Sequence, residues 1–447
     1  MKKFIDIFKN KEVVNRIFFT IMILFVFRIG CAITVPGVDA SALQENIMGS
    51  NNMLSLMNLL GGGALQNFSV FALGVSPYIT AQIIIQLLSM DVLPALTELN
   101  RQGQYGRKKI EMATRYLSLL ICAVQAYGII QTALNTEWIT FTMEQNALTY
   151  IYIITVMMAG STLVIWLGDQ ITSKGIGNGI SMIIFAGIVA SLPAQIGTAF
   201  ETWVVANWNL GSSQTTEGVF RFILYVASYI AIIAFVVFIE LSRRKIPVQH
   251  ATRSQGSEKL TKASFLPIKI NSAGVIPVIF ASSILMAPSI IASFISADAL
   301  NAEWLNVFNY NVMVNTGGVM IPWGLIIYLV FVFAFTFFYA NLQINPENLA
   351  NNFQKNGSYI PGIRPGIETE RYVRKVLNRI TLIGATSLCF IAAVPVVLTL
   401  SGVFGSNTSL AFGGTGLIIV VGVALELNNQ IDGLIAGKSY DEVIGGM

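Results

Sequence analysis

The residue types that carry out most catalysis and metal binding are scarce in this chain. Its single histidine, His250, lies in a basic stretch with no second ligand at metal spacing. The three cysteines, Cys31, Cys122 and Cys389, fall within long apolar runs, so neither a disulfide framework nor a metal site is predicted. No Ser-His-Asp, Cys-His or paired-carboxylate arrangement is present. We therefore expect a protein without a metal, a cofactor or catalysis of its own.

Two other patterns have the residue types of a functional site but not its context. The run from Gly175 to Gly179 lacks the preceding strand and the lysine of a nucleotide-binding loop, so a tight turn between two helices is predicted. Arg28 is a charged residue inside an apolar run, where such groups are costly and usually functional. For Arg28, reaching toward the membrane surface or packing between helices is favoured over a role in transport.

The composition predicts a membrane protein. Of the 447 residues, 54% are hydrophobic and only 11% are charged, against about a quarter charged in an average soluble domain. A helix crosses the roughly 30 Å hydrocarbon core with about 20 apolar residues. Apolar runs of that length lie near 17–35, 74–91, 116–134, 148–168, 180–200, 221–240, 273–295, 320–341, 380–400 and 412–430. We therefore predict an all-α, multi-pass membrane protein with about ten transmembrane helices.

Lysine and arginine are distributed asymmetrically among the predicted loops. All of the 27 basic residues except Arg28 and Arg221 lie in the terminal tails, in alternate loops or at the helix ends that border those loops. The intervening loops are neutral or acidic. Because basic loops remain in the cytoplasm, both termini are predicted to be cytoplasmic.

The nearly uncharged stretch 54–91 is too long for one straight helix. The flanking charges allow one net crossing, which needs only about 20 residues, and a glycine run with Pro77 marks where helix is weakest. We predict a short re-entrant segment followed by a half-length helix. Non-helical backbone at membrane depth lines a cavity or is buried in protein, so this feature alone fits a channel, a secondary transporter or an inert helical bundle.

Two predicted cytoplasmic loops, 241–271 and 343–378, are longer and more basic than simple connections need. Loops beyond about 12 to 15 residues are usually functional or disordered. Positive-inside bias and anionic lipid headgroups explain part of the charge, and docking of an acidic protein or of ribosomal RNA is favoured for the rest. In the second loop, the turn from Pro361 to Gly366 is predicted to present Arg364 on a rigid support.

Short motifs follow one another in order along nearly the whole chain. They are Val35–Asp39, Pro77–Ala81, Ile83–Leu88, Gly106–Ile110, Thr114–Tyr116, Trp166–Thr172, Gly175–Ser181, Ala273–Pro277, Ala281–Ser283, Pro361–Gly366 and Phe412–Thr415. In sequence and spacing this set resembles the SecY/Sec61-alpha family of protein-conducting channels, and bacterial SecY in particular.

The resemblance implies two pseudo-symmetric five-helix halves, 1–210 and 211–447, around an hourglass pore with a lateral gate. It implies a channel subunit of the bacterial inner membrane that translocates unfolded secretory polypeptides and releases hydrophobic segments sideways into the bilayer. The partners that it implies are the SecE and SecG subunits, the SecA motor ATPase, the ribosome, and substrates with signal sequences. None of these partners follows from composition or spacing.

The resemblance also implies functional positions. A ring of branched apolar residues at the pore constriction corresponds to Val75, Ile79, Ile180, Ile184, Ile279 and Ile419. A plug at about 55–73 includes Leu60, Gly61, Gly62, Gly63 and Phe68. The lateral gate corresponds to Thr80, Gln86, Gln125 and Ser282, and the cytoplasmic docking residues to Lys245, Arg253 and Arg364. Taken one at a time, the ring residues also fit ordinary helix packing, and the polar gate residues fit hydrogen bonding between helices.

The main alternative is a secondary transporter of a small solute with a broken-helix binding site. The scarcity of charged groups in the middle of the predicted helices and the two docking loops count against it. An intramembrane enzyme lacks candidate residues.

Overall fold

The structure is a computed structural model in which all ten predicted transmembrane runs contain a helix. It describes residues 10–40, 43, 58, 61–89, 93–135, 138–142, 144, 146–206, 208, 212–250, 264–295, 303–309, 312–316, 319–400 and 414–445. The helices are α1 (Lys11–Ala32), α2 (Ser76–Leu88), α3 (Pro94–Arg101), α4 (Gln104–Asn135), α5 (Ala147–Lys174), α6 (Gly179–Phe200), α7 (Ser212–Leu241), α8 (Ile276–Ile295), α9 (Glu303–Asn306), α10 (Trp323–Gln343), α11 (Pro346–Lys355), α12 (Ile367–Leu400) and α13 (Gly414–Gly445), and a π-helical turn, Glu201–Val205, extends α6.

Local sequence signals fix several helix starts. The side chain of Asn10 accepts a hydrogen bond from the Glu12 N–H at the start of α1, and the side chain of Asn178 accepts from the Ile180 N–H at the start of α6. Such side-chain oxygens satisfy backbone donors that the first helical turn leaves open. In α2, Pro77 lies in the first turn, where a missing N–H is tolerated.

Among the described residues, eight helices are long and apolar enough to cross a membrane, and α2 is one of two shorter apolar helices. With 13 residues, α2 is about 20 Å long, less than the roughly 30 Å of a bilayer core. The prediction of a half-length helix after a re-entrant segment is thus confirmed. The helices α4 and α12 begin well before their apolar runs, because charged residues that favour helix precede those runs.

The three largest hydrophobic clusters among these helices form most of the core. One cluster draws only on residues 35–158, and a second draws only on residues 229–425. The third contains residues from both parts of the chain, between 19 and 427. The helices of the two parts therefore meet around a shared apolar centre, where α6 packs on α13 and α8 packs on α2 and α4.

The two long basic loops are folded, which corrects their description as loops. The strands are β1 (Val38–Asp39), β2 (Thr140–Phe141), β3 (Arg243–His250), β4 (Ser264–Lys269), β5 (Val314–Thr316), β6 (Val319–Ile321) and β7 (Ser358–Tyr359), all paired antiparallel. The 241–271 region forms the β3–β4 hairpin, and β7 of the 343–378 region pairs with β3. Ile246 and Ile268 of the hairpin are buried against Val373 and Leu377 of α12. Burial of this shared apolar core holds the two regions together as one body.

Candidate pore, re-entrant segment and docking face

Residues 61–75 form an irregular and largely buried segment before α2 begins. Gly62, Gly63 and Gly74 have φ angles of 73°, 79° and 54°, which glycine adopts without steric cost. Among the described residues, Phe68 is the one non-glycine residue with positive φ, at 42°, and its side chain is fully buried. A Cβ added to Gly74 would lie 3.0 Å from the Cα of Gly61. The glycines therefore allow the chain to turn tightly upon itself.

Backbone hydrogen bonds join the segment to the stretch that follows α1. The Val35 N–H donates to the Phe68 carbonyl over 3.0 Å, and the Val70 N–H donates to the Ile33 carbonyl over 3.0 Å. Non-helical backbone at membrane depth needs such partners, because lipid offers none. These bonds attach the segment to the stretch that directly follows α1.

A second attachment joins the segment to α5. Ser161 donates from its Oγ to the Gly74 carbonyl over 3.0 Å, and both residues are buried. A Cβ added to Gly160 would lie 1.9 Å from the Val70 carbonyl oxygen, so only glycine allows this approach. Leu60, the remaining residue predicted for this segment, lies outside the described residues.

All six residues of the predicted ring belong to the apolar cluster that joins the two parts of the chain. They are Val75, Ile79, Ile180, Ile184, Ile279 and Ile419. Val75 directly precedes α2, and the others lie on α2, α6, α8 and α13. Ala64 and Phe71 of the re-entrant segment belong to the same cluster. The structure thus brings ring positions from four helices together with the segment predicted to close them.

The helices of the predicted lateral gate pack together, but two of their polar side chains bond within their own helices. Helix α8 packs against both α2 and α4. Thr80 donates to the Ser76 carbonyl of α2 over 3.0 Å, and Ser282 donates to the Ile279 carbonyl of α8 over 2.9 Å. Gln125 of α4 is buried, and its Oε1 has no hydrogen-bond partner. The hydroxyl groups therefore satisfy local helix bonding.

The fourth gate residue has a neighbour that the sequence did not indicate. Gln86 of α2 lies close to Tyr339 of α10. The Tyr339 ring packs edge-on against Phe280 of α8, with ring centroids 6.1 Å apart. Tyr339 thus lies beside α2 and packs against α8. No periodicity or motif marks this aromatic residue among the many of α10.

A buried polar contact fixes the turn before α8. The Asn271 Nδ2 donates to the Glu240 carboxylate over 2.7 Å and to the Gly274 carbonyl over 3.2 Å. Glu240 and Asn271 are 8% and 2% exposed, so each relies on the other to replace water. This pair ties the end of α7 to the start of α8.

The docking residues lie on the folded body made by the two basic regions. Lys245 is exposed on β3, opposite Pro267 of β4. Arg364 is exposed in the turn between β7 and α12, where Gly362 and Gly366 have φ angles of 82° and 103°. The Arg364 carbonyl accepts a 2.9 Å hydrogen bond from Thr369 Oγ1. Arg364 is thus exposed in a turn that is hydrogen-bonded to the start of α12.

Arg253 lies outside the described residues. Lys245 and Arg364 are nevertheless on one body, because β3 pairs with β7 and the Tyr359 hydroxyl donates to Gln249 over 2.9 Å. Exposed cations on a rigid body are suited to phosphate or carboxylate partners.

The family model for SecY matches residues 69–428. The protein translocase subunit SecY of Streptococcus gordonii is 41% identical over 435 residues, which cover 97% of this chain and 96% of that protein. The protein translocase subunit SecY of Staphylococcus epidermidis is 40% identical over 437 residues, covering 98% of each.

Solved channel structures share the fold. A SecY channel whose plug domain stabilises the closed state matches with a TM-score of 0.65 and 18% identity over 93% of this chain and 91% of that chain. Sec61 from the canine ribosome–channel complex matches with a TM-score of 0.58 and 18% identity, also over 93% and 91%. Neither these structures nor the relatives support a small-solute transporter. The chain belongs to the SecY family, and it is a multi-pass membrane channel subunit for protein translocation.

Proposed function

We propose that the six ring residues of the shared apolar cluster form the pore constriction of this channel. We propose also that the plug is the stretch of about 55–73, of which the structure describes residues 58 and 61–73. The single observation that carries this proposal is the presence of all six ring positions, with Ala64 and Phe71 of the segment, in one cluster. Branched apolar side chains offer a moving polypeptide no polar group to bind, and an empty apolar constriction resists water and ions. The ring then passes an extended chain, and the plug seals the resting pore.

The two clusters on either side of this centre support two halves, 1–210 and 211–447. In the proposal, the halves separate along the contact of α2 and α4 with α8, which forms the lateral gate. Thr80, Gln86, Gln125 and Ser282 lie on these helices. Apolar segments of a substrate leave through the gate because burial in lipid is favourable for them.

Lys245, Arg253 and Arg364 dock the cytoplasmic partner, either the SecA motor or the ribosome. The exposed positions of Lys245 and Arg364 support this role, as does the ribosome-bound state of the related Sec61 channel. SecE braces the two halves, SecG completes the complex, and anionic lipids contact the basic loops. The channel has no catalysis of its own, so a partner supplies the energy. The positive-inside pattern supports cytoplasmic termini in a bacterial inner membrane.

Site-specific crosslinking tests the pore. In a background with Cys31, Cys122 and Cys389 replaced by alanine, single cysteines at Ile79, Ile184 and Ile279 are tested against a stalled secretory chain that carries its own cysteine. We expect disulfide crosslinks from all three positions. The test is specific because the three residues lie on three different helices.

The matched control is a cysteine at Ile153, which is fully buried in the cluster of residues 35–158 and not in the shared one. It should not crosslink to the stalled chain. Crosslinking at Ile153 as strong as at Ile184 would show that the chain does not follow the proposed pore. Failure at all three ring positions would refute the assignment of the constriction.

A further inference from the structure

Arg28 has a partner that its place in an apolar run did not suggest. Its Nη1 donates a hydrogen bond of 2.6 Å to the carbonyl of Gly62, in the re-entrant segment. The guanidinium is not enclosed, since Arg28 is an exposed residue near the C-terminal end of α1. A hydrogen bond from a charged donor is shorter and stronger than a neutral one. Arg28 is the only charged side chain of α1 beyond its first two turns. It donates its hydrogen bond to a backbone carbonyl of the re-entrant segment.

The same turn is in backbone contact with α6 on its other side. A Cβ built on Gly187 would lie 2.4 Å from the Cα of Gly62, and a Cβ built on Gly62 would lie 3.0 Å from the Cα of Gly187. Real Cβ atoms do not approach backbone carbons to 2.4 Å, so α6 needs glycine at 187 for Gly62 to reach its position. The missing side chain at Gly187 therefore leaves a notch in the surface of α6, and the turn at Gly62 packs into it.

Internal hydrogen bonds hold the turn in the shape that fits this notch. The Gly63 N–H donates to the Asn58 carbonyl over 2.8 Å, and the Gln66 N–H donates to the Asn58 Oδ1 over 3.0 Å. Gly62 and Gly63 both have positive φ, so these bonds brace a turn that most residues would not form. The Gly62 carbonyl is consequently presented to Arg28 by a braced turn.

We propose that Arg28 and Gly187 form a latch for the plug, and that they are positioning residues which set the balance between the closed and open channel. The proposal rests on the proposed function, in which the stretch of about 55–73 is the plug. Arg28 binds the turn through one carbonyl, and Gly187 lets the turn sit deeply enough between α1 and α6 to be bound. Removal of either contact shifts the resting channel toward the open state without removing any ring residue.

The first test is Gly187→Ala, with Gly197→Ala as its matched control. Both residues lie on α6, but a Cβ on Gly197 meets nothing within 4 Å. Alanine is the better helix former, so each substitution favours α6 itself. In vesicles from cells that express the full chain with its membrane partners, we expect Gly187→Ala to raise the resting chloride conductance at least about tenfold, as for loss of one hydrogen bond to a charged group. Gly197→Ala should change it less than about twofold.

The second test is Arg28→Leu beside Arg28→Gln, with Arg221→Leu as control. Arg221 is the other arginine outside the basic loops, and it is paired with Glu217 of its own helix at 2.7 Å. Arg28→Leu should raise resting conductance about tenfold, Arg28→Gln less because an amide donor remains, and Arg221→Leu not at all. All variants should still translocate a secretory precursor, which a merely misfolded channel would not do.

Deletion of residues 61–68 distinguishes a failure of the latch hypothesis from a failure of the plug assignment. If the deletion raises conductance while Gly187→Ala and Arg28→Leu remain at the wild-type level, the latch is wrong and the plug stands. If the deletion also leaves conductance unchanged, the segment is not a plug, and this part of the proposed function is wrong. If Gly187→Ala fails to accumulate in the membrane, Arg28→Leu alone decides the latch.

Discussion

Substitution of a ring isoleucine should open the resting channel by an amount that its burial predicts. Ile184 is 3% exposed and belongs to the cluster that joins the two parts of the chain. Replacement by alanine removes three carbons, and each buried methylene contributes about 0.8 kcal/mol. The closed state therefore loses about 2.4 kcal/mol if all of these contacts exist only when the channel is closed.

This loss of free energy in the closed state shifts the equilibrium between the closed and the open channel. A change of 1.4 kcal/mol is tenfold in an equilibrium constant, so Ile184→Ala should raise resting ion conductance by up to about 50-fold. If half of the contacts persist in the open state, about 1.2 kcal/mol remains and the rise is about sevenfold. We expect a value between these limits in vesicles with no substrate or motor present.

Ile183→Ala is the matched control. Ile183 is 1% exposed in the same cluster, but it is not one of the six ring positions. Both substitutions should lower stability to a similar extent, by about 2 to 5 kcal/mol. Only Ile184→Ala should raise the resting ion conductance of the channel. Equal conductance from both variants would show that loosened packing, and not the ring, controls the leak.

Three further predictions concern contacts outside the ring. Asn271→Ala removes the 2.7 Å hydrogen bond to buried Glu240 and should cost about 1 to 3 kcal/mol of stability, seen as a lower thermal midpoint in detergent. Arg115→Gln breaks the 2.9 Å pair with Asp169, but the arginine side chain is 49% exposed, so we expect less than about 1 kcal/mol by the same assay. Arg364→Glu should weaken sedimentation of the ribosome or of SecA with vesicles without changing the midpoint, and added salt should reduce the difference from wild type because it screens exposed charges.

Each of these predictions has a control and a contradicting result. Asn341→Ala removes an exposed amide that bonds only to its own helix, and a midpoint shift as large as that of Asn271→Ala would exclude a special role for the buried pair. For Arg115→Gln, a loss well above 1 kcal/mol would mean that the pair is more than a surface ion pair. Arg371→Glu changes another exposed arginine at the start of α12, and an equal loss of docking there would indicate general charge attraction in place of recognition at Arg364.

The sequence predicted the membrane helices well because their signal is local. A run of apolar residues must span lipid wherever it lies, and the half-length α2 followed from the surplus length and from Pro77. The β3–β4 hairpin was missed although Ile246 and Val248 alternate with exposed residues. The strand contains Pro247, which usually argues against a strand, and its register depends on pairing with distant residues.

The site residues likewise differ in whether a local sequence signal identifies them. Individual ring residues such as Ile184 are indistinguishable from ordinary packing residues in sequence, and only the resemblance singled them out. The glycine run at 61–63 indicated only where helix is weakest, whereas in the structure Gly62 makes a close contact with Gly187. Such a contact joins two distant positions, each of which has a commonplace local explanation. Arg28 was conspicuous because of its charge, but its acceptor is a backbone carbonyl, which no side-chain pattern reveals.

The distribution of contacts around the proposed plug indicates how opening proceeds. Within the described residues, the hydrogen bonds that join it to other elements run to α1, to the stretch after α1 and to α5, all of which precede residue 211. Toward Ile279 and Ile419, on the other side of the pore, the contact is apolar. Apolar contact is non-directional and is lost in proportion to area, whereas each hydrogen bond is lost as a unit. In the proposed mechanism, separation of the two halves therefore leaves the plug attached to the first half, and release from Arg28 is a second step. On this argument Ile279→Ala eases separation of the halves and Arg28→Leu eases release of the plug, so the double variant should conduct more than either single variant.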